Sequence, residues 1–144
     1  MSNKGSWIGY NATFMDYPIF PHGIHGIFVS GGGVIGCNCV IYQQVTIGSN
    51  TLKDNPHFGS PTIGDNVLIG AGAKIIGKVT VGNNVRIGAN AVVVRDVPDN
   101  CVVVSSGRVI QKEGVLDNRW FSIQNGKMGY YKDGVFVIDG SQDN

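Results

Sequence analysis

Long hydrophobic runs are absent from this 144-residue sequence. No stretch approaches the roughly 18 consecutive apolar residues of a membrane-spanning helix, and the start, MSNKGSWIGY, lacks the apolar core of a secretory signal. Charge is also sparse: Asp, Glu, Lys and Arg make up 15% of the residues, the net charge is +1, and no basic cluster occurs. These absences argue against membrane and nucleic-acid partners and predict a cytoplasmic protein.

Cysteine is scarce as well: the sequence contains three, Cys37, Cys39 and Cys101. An odd number of cysteines in a chain without an export signal indicates reduced thiols rather than disulfides. Cys37 and Cys39 are close enough to suggest a metal clip, but such a clip needs a second pair that the sequence lacks. We therefore expect the cysteines to act as small buried hydrophobic residues, and we expect no metal.

What the sequence does contain is a six-residue period between Val34 and Val104. A large aliphatic residue opens each unit, at Ile35, Ile41, Ile47, Ile63, Ile69, Ile75, Val81, Ile87 and Val93. A small or branched residue follows four places later, and glycine often fills the second place. An amphipathic helix or a two-faced strand does not have this period, whereas a coil of short strands joined by tight corners does. The period predicts a parallel β-helix with three hexapeptides per turn, in which residues about 18 apart stack on each other.

The period breaks once, where Ile47 and Ile63 lie sixteen residues apart instead of six. The inserted segment, residues 51–61, reads TLKDNPHFGSP and is rich in turn formers and polar residues. We expect it to leave the coil as a loop, and such insertions often mark the binding face of a solenoid. This loop carries His57, one of three histidines.

The pattern divides the chain into three regions. Residues 1–20 contain aromatic residues without a period and are predicted to cap the open end of the coil. Residues 21–110 are predicted to form the β-helix, which ends in one closing strand from residue 101 onward. Residues 111–144 are predicted to form an extension in which an Asn-Gly and an Asp-Gly turn join three strands into a small antiparallel β-meander.

The segments YQQVTIG, PTIGDNVLIGAGAKIIGKVTVGNNVRIGANAVVV and DVPDN resemble the hexapeptide-repeat acyltransferases, most closely their serine acetyltransferase branch. The resemblance covers about residues 21–110 and implies an all-β, left-handed parallel β-helix that works as a homotrimer. Left-handedness comes from the resemblance alone, because the usual rule for parallel crossovers is right-handed. The resemblance also implies acetyl-CoA as co-substrate, and it does not reach the predicted C-terminal meander.

Acyl transfer from a thioester to a hydroxyl requires a base for the hydroxyl proton, and histidine is the usual one. The sequence has no Gly-x-Ser-x-Gly elbow and no cysteine in a recognisable nucleophile setting, which favours direct attack by the acceptor. In the resembled family the catalytic histidine opens a His-x-x-Gly-aliphatic motif. His22 follows Pro21 as in one variant of that motif, but Gly26 comes one residue late. We expect His22 to be the base, with His25 as the alternative, and for each the plainer interpretation is a hydrogen-bonded capping residue.

The spacing also predicts a strip of small residues along one corner of the coil. Once the insertion is removed, residues 18 apart form a column of His25, Gln43, Ala71 and Ala89. The resemblance implies that the pantetheine arm of coenzyme A lies on this strip and that a basic residue meets the nucleotide phosphates; alanines that merely ease a tight corner are the alternative. The expected cofactor-binding residues are Gly48, Gly70, Ala71, Gly88, Ala89 and Arg108, with Lys74 and Lys78 as weaker candidates.

His57 is the third candidate catalytic residue. The family's loop histidine corresponds to Ser60, so His57 is displaced by three positions, and the arginine that accompanies that histidine is missing. Pro21 stands where the family has an aspartate before its catalytic histidine, although Asp16 or Asp54 could substitute. The groups expected to hold serine are therefore absent. We expect a serine acetyltransferase-like O-acetyltransferase with a small-molecule acceptor. The alternatives are sugar O- or N-acetylation, a non-catalytic hexapeptide scaffold, and a metal-bearing hydratase relative in which His22, His25 and His57 would converge on one zinc.

Overall fold

The computed structural model describes residues 4–140. Seventeen strands occur in this range, and most contain two or three residues. Those of the coil are β1 (Trp7–Ile8), β2 (Thr13–Phe14), β3 (Phe28–Val29), β4 (Val34–Ile35), β5 (Val40–Ile41), β6 (Thr46–Gly48), β7 (Thr62–Ile63), β8 (Leu68–Ile69), β9 (Lys74–Ile76), β10 (Thr80–Val81), β11 (Arg86–Ile87), β12 (Val92–Val93), β13 (Cys101–Val103) and β14 (Val109–Gln111). The last three are β15 (Phe121–Gln124), β16 (Lys127–Lys132) and β17 (Val135–Ile138). No helix long and apolar enough to cross a membrane occurs among residues 4–140.

The coil strands stack into three sheets that form the faces of a triangular prism. Sheet A has the order β1-β3-β6-β9-β12, sheet B β2-β4-β7-β10, and sheet C β5-β8-β11-β13-β14. Paired residues are 18 apart where the period is intact, as in Leu68 and Arg86, and 28 apart across the insertion, as in Thr46 and Lys74. The pairing is parallel throughout the coil except between β13 and β14. The predicted parallel β-helix is confirmed.

Residues 7–20 add one further turn to the prism. Within this segment β1 pairs with β3 in sheet A, β2 pairs with β4 in sheet B, and Ile19 bridges to Val40 in sheet C. The sequence pattern does not predict this turn, because its residues include aromatic ones that do not follow the aliphatic repeat. Trp7, for example, faces outward and stacks on Phe28 at 4.9 Å between ring centroids. The boundary between a cap and the β-helix stays a prediction.

The aliphatic residues of the six-residue period fill the interior of the prism. Ile35, Ile41, Ile47, Ile69, Ile75, Val81 and Ile87 are 0% exposed, and Ile63 and Val93 are buried as well. The small residues four places later are buried beside them, including Cys39. Each coil hydrogen-bonds to the coils above and below, so interior side chains stack without a gap between turns.

Asparagine forms the corner between sheets B and C. Asn38, Asn66, Asn84 and Asn100 follow one another along the prism with φ between 55° and 59°. Left-handed backbone is unfavourable for most residues but is tolerated by asparagine, whose short polar side chain bonds locally. This explains why asparagine recurs at a fixed place in the hexapeptide.

The end of the coil differs from the single closing strand that the sequence predicted. β13 and β14 form an antiparallel hairpin, with Gly107 at φ 84° in the turn between them. The hairpin returns along the edge of sheet C and satisfies backbone groups that an edge strand would leave unpaired. Because no further hexapeptide follows that could pair with β13, the chain turns back and β14 takes that place.

Strands β15 to β17 form the predicted antiparallel meander. Its two turns are centred on Asn125–Gly126 and Asp133–Gly134, whose φ values are all positive, as tight hairpin turns require. The meander follows a segment fastened to sheet C of the same chain. There the buried Asn118 donates from Nδ2 to the carbonyl oxygens of Asn66 and Val85 at 3.0 and 2.9 Å, and Arg86 Nε donates to Asn118 Oδ1 at 3.0 Å.

Ile63→Ala will destabilise the protein by about 2–5 kcal/mol, because it leaves a cavity in a closely packed column of side chains. Thr62→Ala, next to it on β7 but facing solvent, is the matched control and will change stability by less than about 0.5 kcal/mol. Denaturant unfolding at one protein concentration measures both. Equal losses for the two variants would contradict the assignment of inward and outward positions.

The thiols will differ in reactivity towards iodoacetamide. Burial raises the pKa of the Cys39 thiol to about 12, and Cys101 is equally buried, whereas Cys37 is half-exposed. The thiolate is the reactive form, so at pH 8 only roughly one Cys39 thiol in 10⁴ is ionised. Peptide mass spectrometry will find Cys37 alkylated first in the folded protein and all three in denaturant. Modification of Cys39 as fast as Cys37 in the folded protein would contradict this.

Candidate active site

The corner between sheets C and A carries the predicted column of residues. Its left-handed positions are Gly26, Gln44, Gly72 and Asn90, with φ of 62°, 59°, 72° and 58°. The residues that precede them stack in the predicted order, His25, Gln43, Ala71 and Ala89. Backbone hydrogen bonds of 2.8 to 3.0 Å connect each coil to the next, such as Gln44 N to His25 O and Asn90 N to Ala71 O.

His22 is held against this column by its neighbours. Its Nδ1 lies 2.8 Å from Gln43 Oε1, and its ring meets the edge of Tyr42 at 5.5 Å between centroids and 77° between planes. An amide oxygen only accepts, so in this contact Nδ1 donates the proton and Nε2 keeps its lone pair. An exposed imidazole oriented in this way can accept a proton from a hydroxyl group.

The segment that carries His22 and His25 is itself an insertion. Ile19 pairs with a residue 21 positions later, whereas Phe28 pairs with one 18 positions later, so three extra residues lie between Ile19 and Phe28. These residues bulge at the corner, and Gly23 adopts φ 74° against the ring of His25. The bulge explains the irregular spacing of the histidine motif. His25 contributes its backbone to the corner, donating from N to Gly23 O at 3.1 Å, and no described residue hydrogen-bonds its ring.

His57 lies at a different corner. The excursion loop begins and ends at an antiparallel bridge between Asn50 and Gly59, and His57 docks on the corner between sheets A and B. There Lys78 N donates to His57 O at 2.8 Å, and His57 Nδ1 is 3.4 Å from Lys78 O. Five residues of sheet A, roughly 16 Å of extended chain, separate this corner from the one that holds His22 and His25. One chain therefore brings two of the three histidines together and keeps the third apart.

The small residues beside the column are required by the approach of neighbouring coils. A Cβ added to Gly70 would lie 2.6 Å from Ala89 N, and one added to Gly88 would lie 3.0 Å from Val103 O. Ala89 is exposed and Ala71 is half-exposed, so the two alanines form an accessible strip. Gly48 is not part of it: this glycine is buried at the far end of β6, near the His57 corner.

Arg108 stands at the C-terminal end of the strip. Val103 pairs with Ile87, which puts the turn after β13 over the column that contains Ala89. The turn is closed by backbone hydrogen bonds from Val104 N to Arg108 O and from Gly107 N to Val104 O. The Arg108 side chain is exposed, and no carboxylate of residues 4–140 forms an ion pair with it.

Two residues of the site have roles that the sequence did not reveal. Gln43 was predicted only as a member of the column, and its hydrogen bond to His22 depends on the three-residue bulge. Lys74, a weak phosphate candidate, donates from Nζ to the carbonyl oxygens of Gln44 and Gly72 at 2.9 and 3.0 Å and so ties the corner together. Its place in the hexapeptide, three residues after Ala71, is the only signal that could have indicated this contact.

Comparison with known proteins gives one consistent result. A family model described as bacterial transferase hexapeptide (six repeats) matches residues 60–95. The chain is 45% identical over 95 residues to the serine acetyltransferase of Synechococcus elongatus, covering 65% of this chain and 38% of that protein. It is 39% identical over 127 residues to the serine acetyltransferase of Synechocystis sp., covering 88% and 46%. The chain belongs to the hexapeptide-repeat acyltransferases, in their serine acetyltransferase-like branch.

The fold of this family member agrees with that of solved relatives. The crystal structure of serine acetyltransferase from Neisseria gonorrhoeae has a TM-score of 0.68 to it at 34% identity, covering 75% of this chain and 41% of that one. The predicted left-handed parallel β-helix is thus confirmed. The chain spans less than half the length of the relatives that it matches.

Ser60, which the sequence resemblance puts in the place of the family's loop histidine, belongs to a chain of hydroxyl groups at the corner between sheets A and B. Its Oγ donates to Gly31 O at 2.9 Å and lies 2.7 Å from Ser49 Oγ, which is 2.8 Å from Ser30 Oγ. These contacts leave Ser60 tied to the coil. His57, displaced by three residues, is the imidazole of this loop.

The tautomer of His22 provides a test of the site geometry. We expect long-range proton–nitrogen spectra, recorded at a pH where the imidazole is neutral, to find the proton on Nδ1. Gln43→Leu will remove this preference, because it deletes a hydrogen bond whose net strength is about 1 kcal/mol. His25, which has no such bond, is the internal control. A proton on Nε2 of His22 in the unaltered protein would contradict the geometry.

Proposed function

We propose that this protein is an acetyl-CoA-dependent O-acetyltransferase in which a histidine activates an acceptor hydroxyl. The observation that carries the proposal is the imidazole of His22, held by Gln43 with a free Nε2 beside the alanine strip. The relatives named above are serine acetyltransferases, which supports the same reaction class. Because the chain spans less than half of them, the activity itself is proposed.

The reaction proceeds by direct attack. Nε2 of His22 takes the proton of the acceptor hydroxyl while the hydroxyl oxygen forms a bond to the carbonyl carbon of the acetyl thioester. The tetrahedral intermediate expels the coenzyme A thiolate, to which the imidazolium returns the proton, and the acetyl ester is released. Such a base contributes about 10²–10⁴ to the rate. His25 is the alternative base because its ring lies in the same bulge.

Coenzyme A lies along the strip in this proposal. Ala71 and Ala89 have no side chain beyond Cβ, so an extended pantetheine arm reaches the backbone N–H and C=O groups of the corner. The exposed guanidinium of Arg108 meets the phosphates, for which arginine geometry is well suited. The proposal assigns Gly70 and Gly88 to the strip as residues that keep the coils close. Gly48 and His57 belong to the other end of sheet A.

His57 takes part only if a second copy contributes. Sheet A, one face of the prism, separates His57 from His22 within the chain, so we propose a homotrimer whose active sites lie between subunits. The A/B corner of one copy, with His57, then faces the C/A corner of the next, with His22. The trimer and a location in the cytoplasm stay predictions.

Serine is the first candidate acceptor, because it is the substrate named for the relatives. A sugar is the second, and a specific observation favours it. The resemblance puts Ser60 in the place of the family's loop histidine and gives the accompanying arginine no counterpart. Of the lysines at this loop, Lys53 belongs to it, and Lys78 packs its aliphatic stem against Gly59. A neutral hydroxyl compound needs no cation to hold a carboxylate.

The proposal is tested by thiol release from acetyl-CoA with serine, homoserine and amino sugars as acceptors. We expect release with at least one of them, and a fall of about 10²–10⁴ in kcat for His22→Ala or, if His25 is the base, for His25→Ala. His57→Ala distinguishes a catalytic loop from a structural one. Full turnover in both the His22 and His25 variants would refute the base, and no release with any acceptor together with no coenzyme A binding would favour a scaffold.

Ala89→Trp tests the strip. An indole on the strip will raise KM for acetyl-CoA at least about tenfold, corresponding to about 1.4 kcal/mol of lost binding, and will leave unfolding unchanged. Glu113→Trp, which adds an indole at an exposed position of the segment after β14, is the matched control and will leave KM unchanged. If Ala89→Trp behaves like the control, the cofactor does not lie on this strip.

A further inference from the structure

A cavity lies between sheet C and the C-terminal meander, away from the candidate active site. Its volume is about 670 Å³, within the roughly 300–1,000 Å³ range of small-molecule sites. One wall is residues 16–19 of the first turn, the floor is the asparagine corner, and the other wall is formed by residues 115–120 and 130–134. Asn38 lies at the corner beside this cavity, and Gln43 lies at the corner that holds His22. The two residues are five positions apart across sheet C, so roughly 16 Å of extended chain separates the cavity from His22.

The walls carry aromatic residues that the fold leaves at least partly exposed. Tyr17 is 96% exposed, and the half-buried Trp120, Tyr130 and Tyr131 line the opposite side. Tyrosine and tryptophan combine a flat apolar face with a polar tip, and such residues are typical of binding surfaces that must meet an amphipathic ligand. A pyranose ring has the complementary faces, because its C–H bonds point to one side and its hydroxyls to the rim.

The floor is a regular column of unused amide groups. Asn38, Asn66 and Asn84 stack along the corner with the spacing of adjacent coils, about 4.8 Å, and each side chain offers two donors and one acceptor oxygen. No residue in the range 4–140 forms a hydrogen bond with these three side-chain amides. A purely apolar ligand or peptide would bury these amides without hydrogen-bond partners, which is unfavourable for each group left unsatisfied.

The charges around the cavity argue against an anionic ligand. Three carboxylates, those of Asp16, Asp117 and Asp133, stand against the two cations of Arg119 and Lys132. Asp117 and Arg119 pair with each other at 2.7 Å, and the guanidinium also lies 4.2 Å above the ring of Tyr130. Phosphate and carboxylate ligands are held by unpaired cations, usually arginine, and no excess of them exists here. Carboxylates accept hydrogen bonds from hydroxyl groups.

From these observations we propose that the cavity between sheet C and the meander is a binding site for a neutral saccharide. The aromatic walls pack on the sugar rings, the asparagine column bonds their hydroxyls, and Asp133 at the tip of the turn between β16 and β17 accepts further hydroxyl bonds. Binding at this site does not depend on acetyl transfer or on acetyl-CoA.

Tryptophan fluorescence provides the direct test. The protein has two tryptophans, and Trp7→Phe leaves Trp120 in the cavity wall as the only reporter. We expect at least one of maltotriose, cellotriose and chitotriose to shift or quench this emission in a saturable manner, with a dissociation constant below about 10 mM. Calorimetry in the absence of acetyl-CoA will give the same dissociation constant. No change with any of the three, by either method, overturns the proposal.

Two fully exposed tyrosines give a matched pair of variants. Tyr17→Ala removes a ring from the cavity wall and will weaken saccharide binding about 3- to 10-fold, as expected for one aromatic contact. Tyr10→Ala removes a ring that is 100% exposed elsewhere and will have no effect. Equal weakening by both variants, or none by Tyr17→Ala, would contradict the site, as would tighter binding of a triuronic acid than of the neutral probes.

The outcome of this test is separate from that of the proposed acetyltransferase. Saccharide binding without acetyl transfer would leave this site intact and refute the proposed function. Acetyl transfer with no saccharide effect on Trp120 emission would support the proposed function and refute the saccharide site.

Discussion

The structure depends on the stacking of one coil upon the next. Each coil contributes a large aliphatic side chain to the interior from each face, and its backbone pairs with the coils on both sides. The spacing between coils is that of paired strands, so a side chain on a corner glycine such as Gly70 would collide with the next turn. Beside these glycines, Ala71 and Ala89 are half-exposed and exposed and carry no side chain beyond Cβ, so the strip is accessible.

The three candidate histidines lie where the six-residue period is interrupted. The three extra residues between Ile19 and Phe28 push His22 and His25 out of the wall, and the ten extra residues after β6 carry His57. The bulge sets His22 against Gln43 of the next coil, and this contact defines the tautomer on which the proposed chemistry rests.

The C-terminal extension gives the chain a second kind of surface. Asn118 is buried against sheet C and fastens the extension by hydrogen bonds to two corner carbonyls, yet the meander beyond it leaves a cavity instead of a packed interface. Tight packing there would need apolar residues at the corner, but the left-handed backbone of that corner favours asparagine. Polar amides thus line the floor of the cavity because of the backbone geometry of the coil. The sequence pattern does not reveal the three extra residues before Phe28, because the first turn carries outward aromatic residues and lacks the aliphatic repeat that would set its register.

The sequence by itself determined the β-helix, its inward column, the excursion loop, the meander and the order of the residue column at the C/A corner. These features follow from local periodicity and from turn residues with defined backbone angles, which a single chain displays directly. The tertiary structure alone decided that His22 hydrogen-bonds to Gln43 and that Lys74 connects two coils at the corner. It also decided that Gly48 and His57 lie across sheet A from the strip, and that the last strand of the coil folds back. Each of these depends on which coil stacks over which side chain, and an insertion of three or ten residues changes that register without changing any local pattern.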